Sequence, residues 1–179
     1  PPNVSLDYRQ LMELVGSEAP SNEPFVVVAE SFSTTLAIAY AASRPANLKG
    51  LVMCAGFAAS PVKGWKRALA LGIGSLVPIR ALPSSVARSL LVSPDSPKAL
   101  IAQVRAAIQQ VRPEVLRHRL ESVLGRDERE ALAKVSIPIL YLRAKRDRLV
   151  PVASLEEMLH VNPEMQIAEI DGPHLLLQR

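Results

Sequence analysis

The chain has 179 residues, nearly half of them apolar, which is enough for one domain with a sizeable core and too hydrophobic for a disordered tail. Its formal net charge of +4 comes from 21 basic and 17 acidic residues. The basic residues are scattered and form no patch interleaved with aromatic side chains, so we expect no nucleic-acid binding. No run of about 20 consecutive apolar residues occurs, which argues against a transmembrane helix.

The first predicted elements are a helix around residues 6–15 and a strand at residues 25–28. The strand enters the turn A-E-S-F-S at residues 29–33, which is centred on Ser31, and residues 34–42 then predict a helix. A strand, a sharp turn with a serine and a helix are typical of a nucleophile elbow. Small residues, alanine and serine, stand where such a turn usually has glycines. The alternative is that Ser31 only caps the helix through its hydroxyl group.

A second apolar strand leads into residues 54–57, which contain no carboxylate. Cys54 at its end is the only cysteine of the chain, so it cannot form an internal disulfide. We expect its thiol to behave as a small buried apolar group. Cysteine usage of this kind fits a reducing compartment, and we expect a cytoplasmic protein.

Residues 61–135 predict a separate module of short helices with prolines at their starts. We expect these helices at residues 83–91, 97–111, 114–124 and 127–135. The preceding segment, residues 61–80, contains Trp65 and the apolar run 68–77. This run either packs within the module or faces a hydrophobic substrate or a membrane surface.

The next predicted strand spans residues 137–143, and Asp147 lies in the loop just after it. Ligands and catalytic groups of open α/β sheets gather at the carboxyl ends of the strands. Four basic residues between positions 143 and 148 surround Asp147. They would help to keep its carboxyl group ionised if it is catalytic. The alternative is that this segment is an ordinary solvated loop.

Residues 165–170 alternate apolar and polar side chains like a strand, and a Gly-Pro turn then leads to His174. A serine nucleophile needs a base, and the base needs an orienting carboxylate, so Ser31, His174 and Asp147 could act together. His174 could instead be only a turn residue. Asp171 is too close in sequence to His174 to be its acid. No spacing of His, Cys, Asp or Glu matches a zinc site, and we expect no metal or cofactor.

Four segments, residues 26–33, 48–56, 137–151 and 170–174, resemble the α/β-hydrolase fold family, and the resemblance covers nearly the whole chain. It implies an α/β fold with a mostly parallel sheet flanked by helices. Residues 1–60 and 136–179 would form the hydrolase core, and residues 61–135 would form a helical lid.

The resemblance also implies roles for individual residues. Ser31 would be the nucleophile, His174 the general base and acid, and Asp147 the residue that orients His174. The backbone N–H of Phe32 would be one donor to the oxyanion. Some family members place the acid after the preceding strand, and the lack of a carboxylate at residues 54–57 favours Asp147.

The implied activity is hydrolysis of a small carboxylic ester or thioester with a hydrophobic acyl or alcohol part, without a cofactor. The alternatives are a lyase or a cofactor-free haloperoxidase on the same fold, or a non-catalytic binding or scaffold protein. Family members have several strands before the first helix, and a loop among them supplies the second oxyanion donor. We therefore expect a fragment of a longer hydrolase that is weak or inactive alone and exposes a sheet edge. The exact substrate and the oligomeric state stay open.

Overall fold

The structure is a computed structural model that describes residues 4–63, 91–93 and 96–178. Strands and helices follow one another in the order expected of an α/β protein. They are α1 (Tyr8–Glu18), β1 (Phe25–Glu30), α2 (Ser33–Ala42), β2 (Leu48–Cys54), α3 (Lys98–Gln110), α4 (Pro113–Gly125), α5 (Arg129–Leu132), β3 (Ile139–Ala144), α6 (Val152–Val161) and β4 (Gln166–Ile170). None of these described helices is long and apolar enough to cross a membrane.

The four strands form one sheet in the order β1-β2-β3-β4, and each neighbouring pair is parallel. Parallel strands have all their carboxyl ends at the same edge of the sheet. The loops that follow β1, β3 and β4 therefore meet at that edge, and they carry Ser31, Asp147 and His174. The predicted α/β class with a parallel sheet is confirmed.

One face of the sheet carries the main hydrophobic core, because alternate residues of a strand point to the same face. The strand residues in this core are Phe25, Val27, Ala29, Leu48, Leu51, Met53, Ile139 and Tyr141. They pack with Ile38 of α2, Leu132 of α5 and Met158 of α6, each of which is almost fully buried. Met12 of α1 packs against the same cluster.

The opposite face of the sheet is largely open. Val26 and Val28 of β1 are 54% and 55% exposed, and Ile170 of β4 is 41% exposed. Val28 aligns with Val52 of β2, which in turn aligns with Leu140 of β3, and both of these partners are half-buried. The described helices that belong to the core therefore flank one face of the sheet.

Local sequence explains where two of the helices begin. Asp7 caps α1, because its carboxylate accepts the N–H of Gln10 at 2.8 Å and the Gln10 side chain accepts the N–H of Asp7 at 2.9 Å. This reciprocal pair is a capping box. Helix α4 starts with Pro113. Proline lacks a backbone N–H, but an N–H in the first turn of a helix has no acceptor within the helix, so no hydrogen bond is lost.

The predicted helices 97–111 and 114–124 correspond to α3 and α4 within one residue at most of their ends. The predicted helix 127–135 is mostly wrong, because α5 has only four residues. This helix begins later in the chain than predicted because residues 127 and 128 contact the loop after β2. The N–H of Glu128 donates to Ala58 O at 2.7 Å, and Asp127 forms an antiparallel bridge with Ala59.

Other parts of the predicted module lie outside the described residues. They are Trp65, the apolar run 68–77 and the helix 83–91 apart from Leu91. The division into a core at residues 1–60 and 136–179 and a lid at residues 61–135 therefore stays a prediction.

Candidate active site

Ser31 occupies a strained turn between β1 and α2. Its φ angle is 56°, in the left-handed region that residues other than glycine rarely adopt. The N–H of Ser31 donates to Cys54 O at 3.0 Å, which ties the turn to the end of β2. Ser31 does not cap α2, since Phe32 is the N-cap residue and no side chain caps that helix. Strain of this kind is typical of functional turns.

Ser33 holds the same turn together through its hydroxyl group. Its Oγ accepts the N–H of Glu30 at 2.9 Å and donates to Glu30 O at 2.7 Å. A glycine at position 33 could not make either contact. The departure from the usual glycine therefore supplies two hydrogen bonds to the turn.

Thr34 connects the turn to the loop after β2. Its side chain is fully buried, and its Oγ1 accepts the N–H of Phe57 at 3.1 Å and lies 2.6 Å from Ser31 O. Gly56 leaves room for this contact, since a Cβ at that position would overlap the Thr34 side chain. The hydroxyl group of Tyr141 donates to Gly56 O at 2.9 Å, so β3 supports the same loop.

His174 lies between Ser31 and Asp147, and only 2% of it is exposed. Its Nε2 is 2.7 Å from Ser31 Oγ, and its Nδ1 is 2.9 Å from Asp147 Oδ2. An ionised carboxylate can only accept hydrogen bonds, so Nδ1 carries the proton that is donated to Asp147. Nε2 is then free to accept the hydroxyl proton of Ser31.

The other carboxylate oxygen of Asp147 is also engaged. Asp147 Oδ1 accepts the N–H groups of Leu149 and Val150 at 2.8 and 3.0 Å, and the side chain is only 7% exposed. These bonds fix the carboxylate so that Oδ2 faces the imidazole ring of His174.

Three of the four basic residues around Asp147 pair with other carboxylates. Arg143 and Lys145 form ion pairs with Glu169, and Arg146 pairs with Asp171 at 3.0 Å. The contact with Arg143, together with that of Lys145, holds the pKa of Glu169 below its usual range. The loop thus has an outer layer of ion pairs and an inward-facing Asp147.

Phe32 directly follows Ser31 at the start of α2, and its backbone N–H has no hydrogen-bond acceptor among the described residues. An unpaired N–H at the first turn of a helix can stabilise a negatively charged oxygen atom. The other two histidines lie elsewhere. His118 contacts the hydroxyl group of Ser5 at 2.6 Å, and His160 is in the last turn of α6.

Burial controls the ionisation of two neighbours of the turn. It raises the pKa of the Cys54 thiol to about 11, and the negative charge of Glu30 adds to this shift. Burial also raises the pKa of Tyr141, with a further contribution from Asp147. Both groups therefore stay protonated near neutral pH.

A cavity of about 230 Å³ lies between the end of β3 and the start of α6. Asp147 and Tyr141 are among its lining residues, whereas Ser31 and His174 are not. Within the described ranges, no group of three or more His, Cys, Asp or Glu side chains could hold a metal ion.

A family model described as "Serine aminopeptidase, S33" matches residues 3–172, which is most of the chain. The chain belongs to this α/β-hydrolase family. Part of the chain is also 36% identical over 77 residues to the biotin biosynthesis bifunctional protein BioHC of Cellvibrio japonicus (strain Ueda107). That match covers 39% of this chain and 15% of the relative.

Solved structures share the fold of this chain at low identity. The thermophilic esterase of Thermogutta terrifontis is 21% identical with a TM-score of 0.74, over 96% of this chain and 64% of the esterase. The bromoperoxidase of Bacillus anthracis is 14% identical with a TM-score of 0.76, over 97% of this chain and 69% of that protein. The chain thus spans about two thirds of the length of these structures.

Two residues that support the turn, Glu30 and Thr34, have little or no signal in the sequence. Thr34 has a weak local signal, because a threonine in a first helical turn can bond to a carbonyl three residues earlier. Glu30 has none, since its side-chain partners lie about 146 positions later in the chain. Only the folded structure brings them together.

Proposed function

We propose that this protein cleaves a carboxylic ester or thioester, with Ser31 as its nucleophile. The observation that carries the proposal is that His174 accepts the Ser31 hydroxyl group at Nε2, 2.7 Å from Oγ, and donates from Nδ1 to Asp147 Oδ2 at 2.9 Å. A serine hydroxyl group is a weak nucleophile on its own and is activated by a base that a third group orients. A non-catalytic scaffold would not need this arrangement or the left-handed turn at Ser31.

In the first step, Nε2 of His174 takes the Ser31 proton while Oγ attacks the carbonyl carbon of the substrate. The carbonyl oxygen becomes negatively charged and accepts a hydrogen bond from the N–H of Phe32. The bond to the leaving group then breaks, and the imidazolium of His174 gives its proton to the departing alcohol or thiol. Asp147 stabilises the positive charge of the ring during both transfers.

The second step releases the acid. Nε2 of His174 takes a proton from water, and the resulting hydroxide attacks the acyl group on Ser31. The ester bond to Oγ breaks, and His174 returns the proton to Ser31. One oxyanion donor is typically worth about 100- to 1,000-fold in rate, so an enzyme with Phe32 as its sole donor would be slow.

The substrate class is part of the proposal. We infer a hydrophobic acyl or alcohol part from the apolar run 68–77 in the predicted lid, which lies outside the described residues. The similarity to the esterase of Thermogutta terrifontis supports a small ester. A haloperoxidase or lyase reaction on the same residues is the second candidate, and the similarity to a bromoperoxidase is the reason to test it by product analysis.

Hydrolysis of p-nitrophenyl esters of increasing chain length tests the proposal. We expect Ser31→Ala to lower kcat by about 10⁴-fold or more, because it removes the nucleophile. Ser17→Ala is the matched control, since Ser17 is exposed on α1 and bonds only to Leu14 O. Activity that survives in Ser31→Ala would rule out Ser31 as the nucleophile.

A further inference from the structure

The loop that carries His174 has no regular secondary structure of its own, so its position depends on contacts with other segments. The N–H of Arg146 donates to Gly172 O at 3.0 Å, and the N–H of Leu175 donates to Leu91 O at 3.1 Å. These two bonds hold the loop on the side of Asp147 and of residues 91–93. A third set of bonds holds it on the side of Ser31.

Glu30 makes this third set. Its Oε1 accepts the N–H groups of Leu176 and Leu177 at 2.7 and 3.0 Å, and its Oε2 accepts the side-chain amide of Gln178 at 2.9 Å. Three donors from three consecutive residues therefore converge on one carboxylate. Bonds from N–H groups to an ionised carboxylate are shorter and stronger than those between neutral groups.

The backbone of Glu30 is itself rigid. Glu30 is the last residue of β1 and pairs with Cys54 of β2. Its N–H and its carbonyl oxygen are both bonded to Ser33 Oγ. The carboxylate thus extends from a fixed point at the edge of the sheet.

Glu30 precedes Ser31 directly, and Leu176 follows His174 by two residues. The carboxylate therefore links the two chain segments that meet at the contact between Ser31 Oγ and His174 Nε2. We propose that Glu30 is a positioning residue that holds the His174 loop against the nucleophile turn. The consequence for rate rests on the proposed hydrolase function, whereas the consequence for the geometry of His174 does not.

Two substitutions separate this role from an effect of charge alone. Glu30→Gln loses the negative charge and the partner of Gln178 but keeps a carbonyl oxygen that can accept the N–H groups of Leu176 and Leu177. Glu30→Ala loses every acceptor. A positioning role thus predicts that glutamine rescues what alanine loses, whereas a role of the charge predicts that both variants fail.

The experiment measures two properties of the full 179-residue chain. The first is the rate at which a fluorophosphonate probe labels Ser31. The second is the far-downfield proton resonance of the His174 Nδ1–H group, which reports its bond to Asp147 without any reaction. Thermal unfolding followed by circular dichroism shows that each variant is folded at the temperature used. Glu169→Ala is the matched control, because it removes an exposed carboxylate at the same end of the sheet.

We expect Glu30→Ala to slow labelling by about 100-fold, the cost of a catalytic group displaced by about 1 Å, and to broaden or abolish the His174 resonance. Glu30→Gln and Glu169→Ala should keep both properties close to those of the native chain. An unchanged resonance in a folded Glu30→Ala variant would overturn the positioning role. Equal losses in the glutamine and alanine variants would also overturn it. If the native chain takes no probe, the hydrolase proposal fails, and the resonance alone still decides the role of Glu30.

Discussion

Ser33 shows how a single residue can depart from a common pattern and still serve the same turn. A nucleophile elbow usually has glycine here because the strand and helix come close together. Serine is small enough to fit, and its hydroxyl group binds both the N–H and the carbonyl oxygen of Glu30. Ala29, the other departure from glycine, is 5% exposed and belongs to the core.

Cys54 gives a prediction on the same scale. It is completely buried, and its pKa is raised to about 11, so very little thiolate exists at pH 8. Since the thiolate is the reactive form, we expect a disulfide reagent to react at least about 100-fold more slowly with the folded chain than with the unfolded chain. The rate in the folded state should rise as the pH approaches 11.

Absorbance at a series of pH values, with and without denaturing urea, measures these rates. Cys54 is the only cysteine, so the signal has one source. Similar rates in the two states at pH 8 would show that the end of β2 is open to solvent.

At the scale of elements, the contact between α2 and the loop after β2 depends on one hydroxyl group. Thr34→Val keeps the volume of the side chain but leaves the N–H of Phe57 without the acceptor it has in the structure. An unsatisfied buried donor costs about 1–3 kcal/mol, so we expect the free energy of unfolding to fall by that amount. Urea denaturation at equilibrium measures the change.

The neighbouring residue provides the control. Thr35 is also fully buried, and its hydroxyl group donates to Phe32 O. When valine replaces Thr35, Phe32 O still accepts the backbone N–H of residue 35, so no buried group loses its partner. Thr35→Val should therefore cost less than Thr34→Val. The reverse order would mean that the bond to Phe57 contributes little.

Sequence patterns predicted most elements because the signals were local. The apolar strand before Ser31, the prolines at the starts of α3 and α4, and the alternation at β4 each predicted an element that the structure contains. Strand β3 begins at Ile139 rather than at residue 137, since Pro138 has no N–H for the sheet. Helix α5 is shorter than the predicted helix 127–135, because its start depends on contacts with Ala58 and Ala59, which are distant in sequence.

At the scale of the whole molecule, the chain order Ser, Asp, His predicted three residues that the fold brings together at one edge of the sheet. This was possible because each follows a recognisable strand, and parallel strands share that edge. The long-range bonds of Glu30 and Thr34 could not be predicted, because Glu30 binds residues near position 176 and Thr34 binds Phe57, each far away in sequence.

The exposed face of the sheet is the other feature that local patterns did not reveal. Strand β1 reads as a continuous apolar run, which is typical of a strand buried on both faces. In the structure, Val26 and Val28 are more than half exposed while Val27 packs against the core. The sequence of β1 is thus apolar on both faces of the strand. The described residues bury only the face that carries Val27.

The central claim is that Ser31 is a nucleophile activated by His174, and mass spectrometry of the intact chain after reaction with a fluorophosphonate tests it most directly. We expect a single adduct that maps to Ser31 and is lost in both Ser31→Ala and His174→Ala. This role of Ser31 would be contradicted by a native chain that forms no adduct, or by an adduct on Ser31 that forms equally fast without His174.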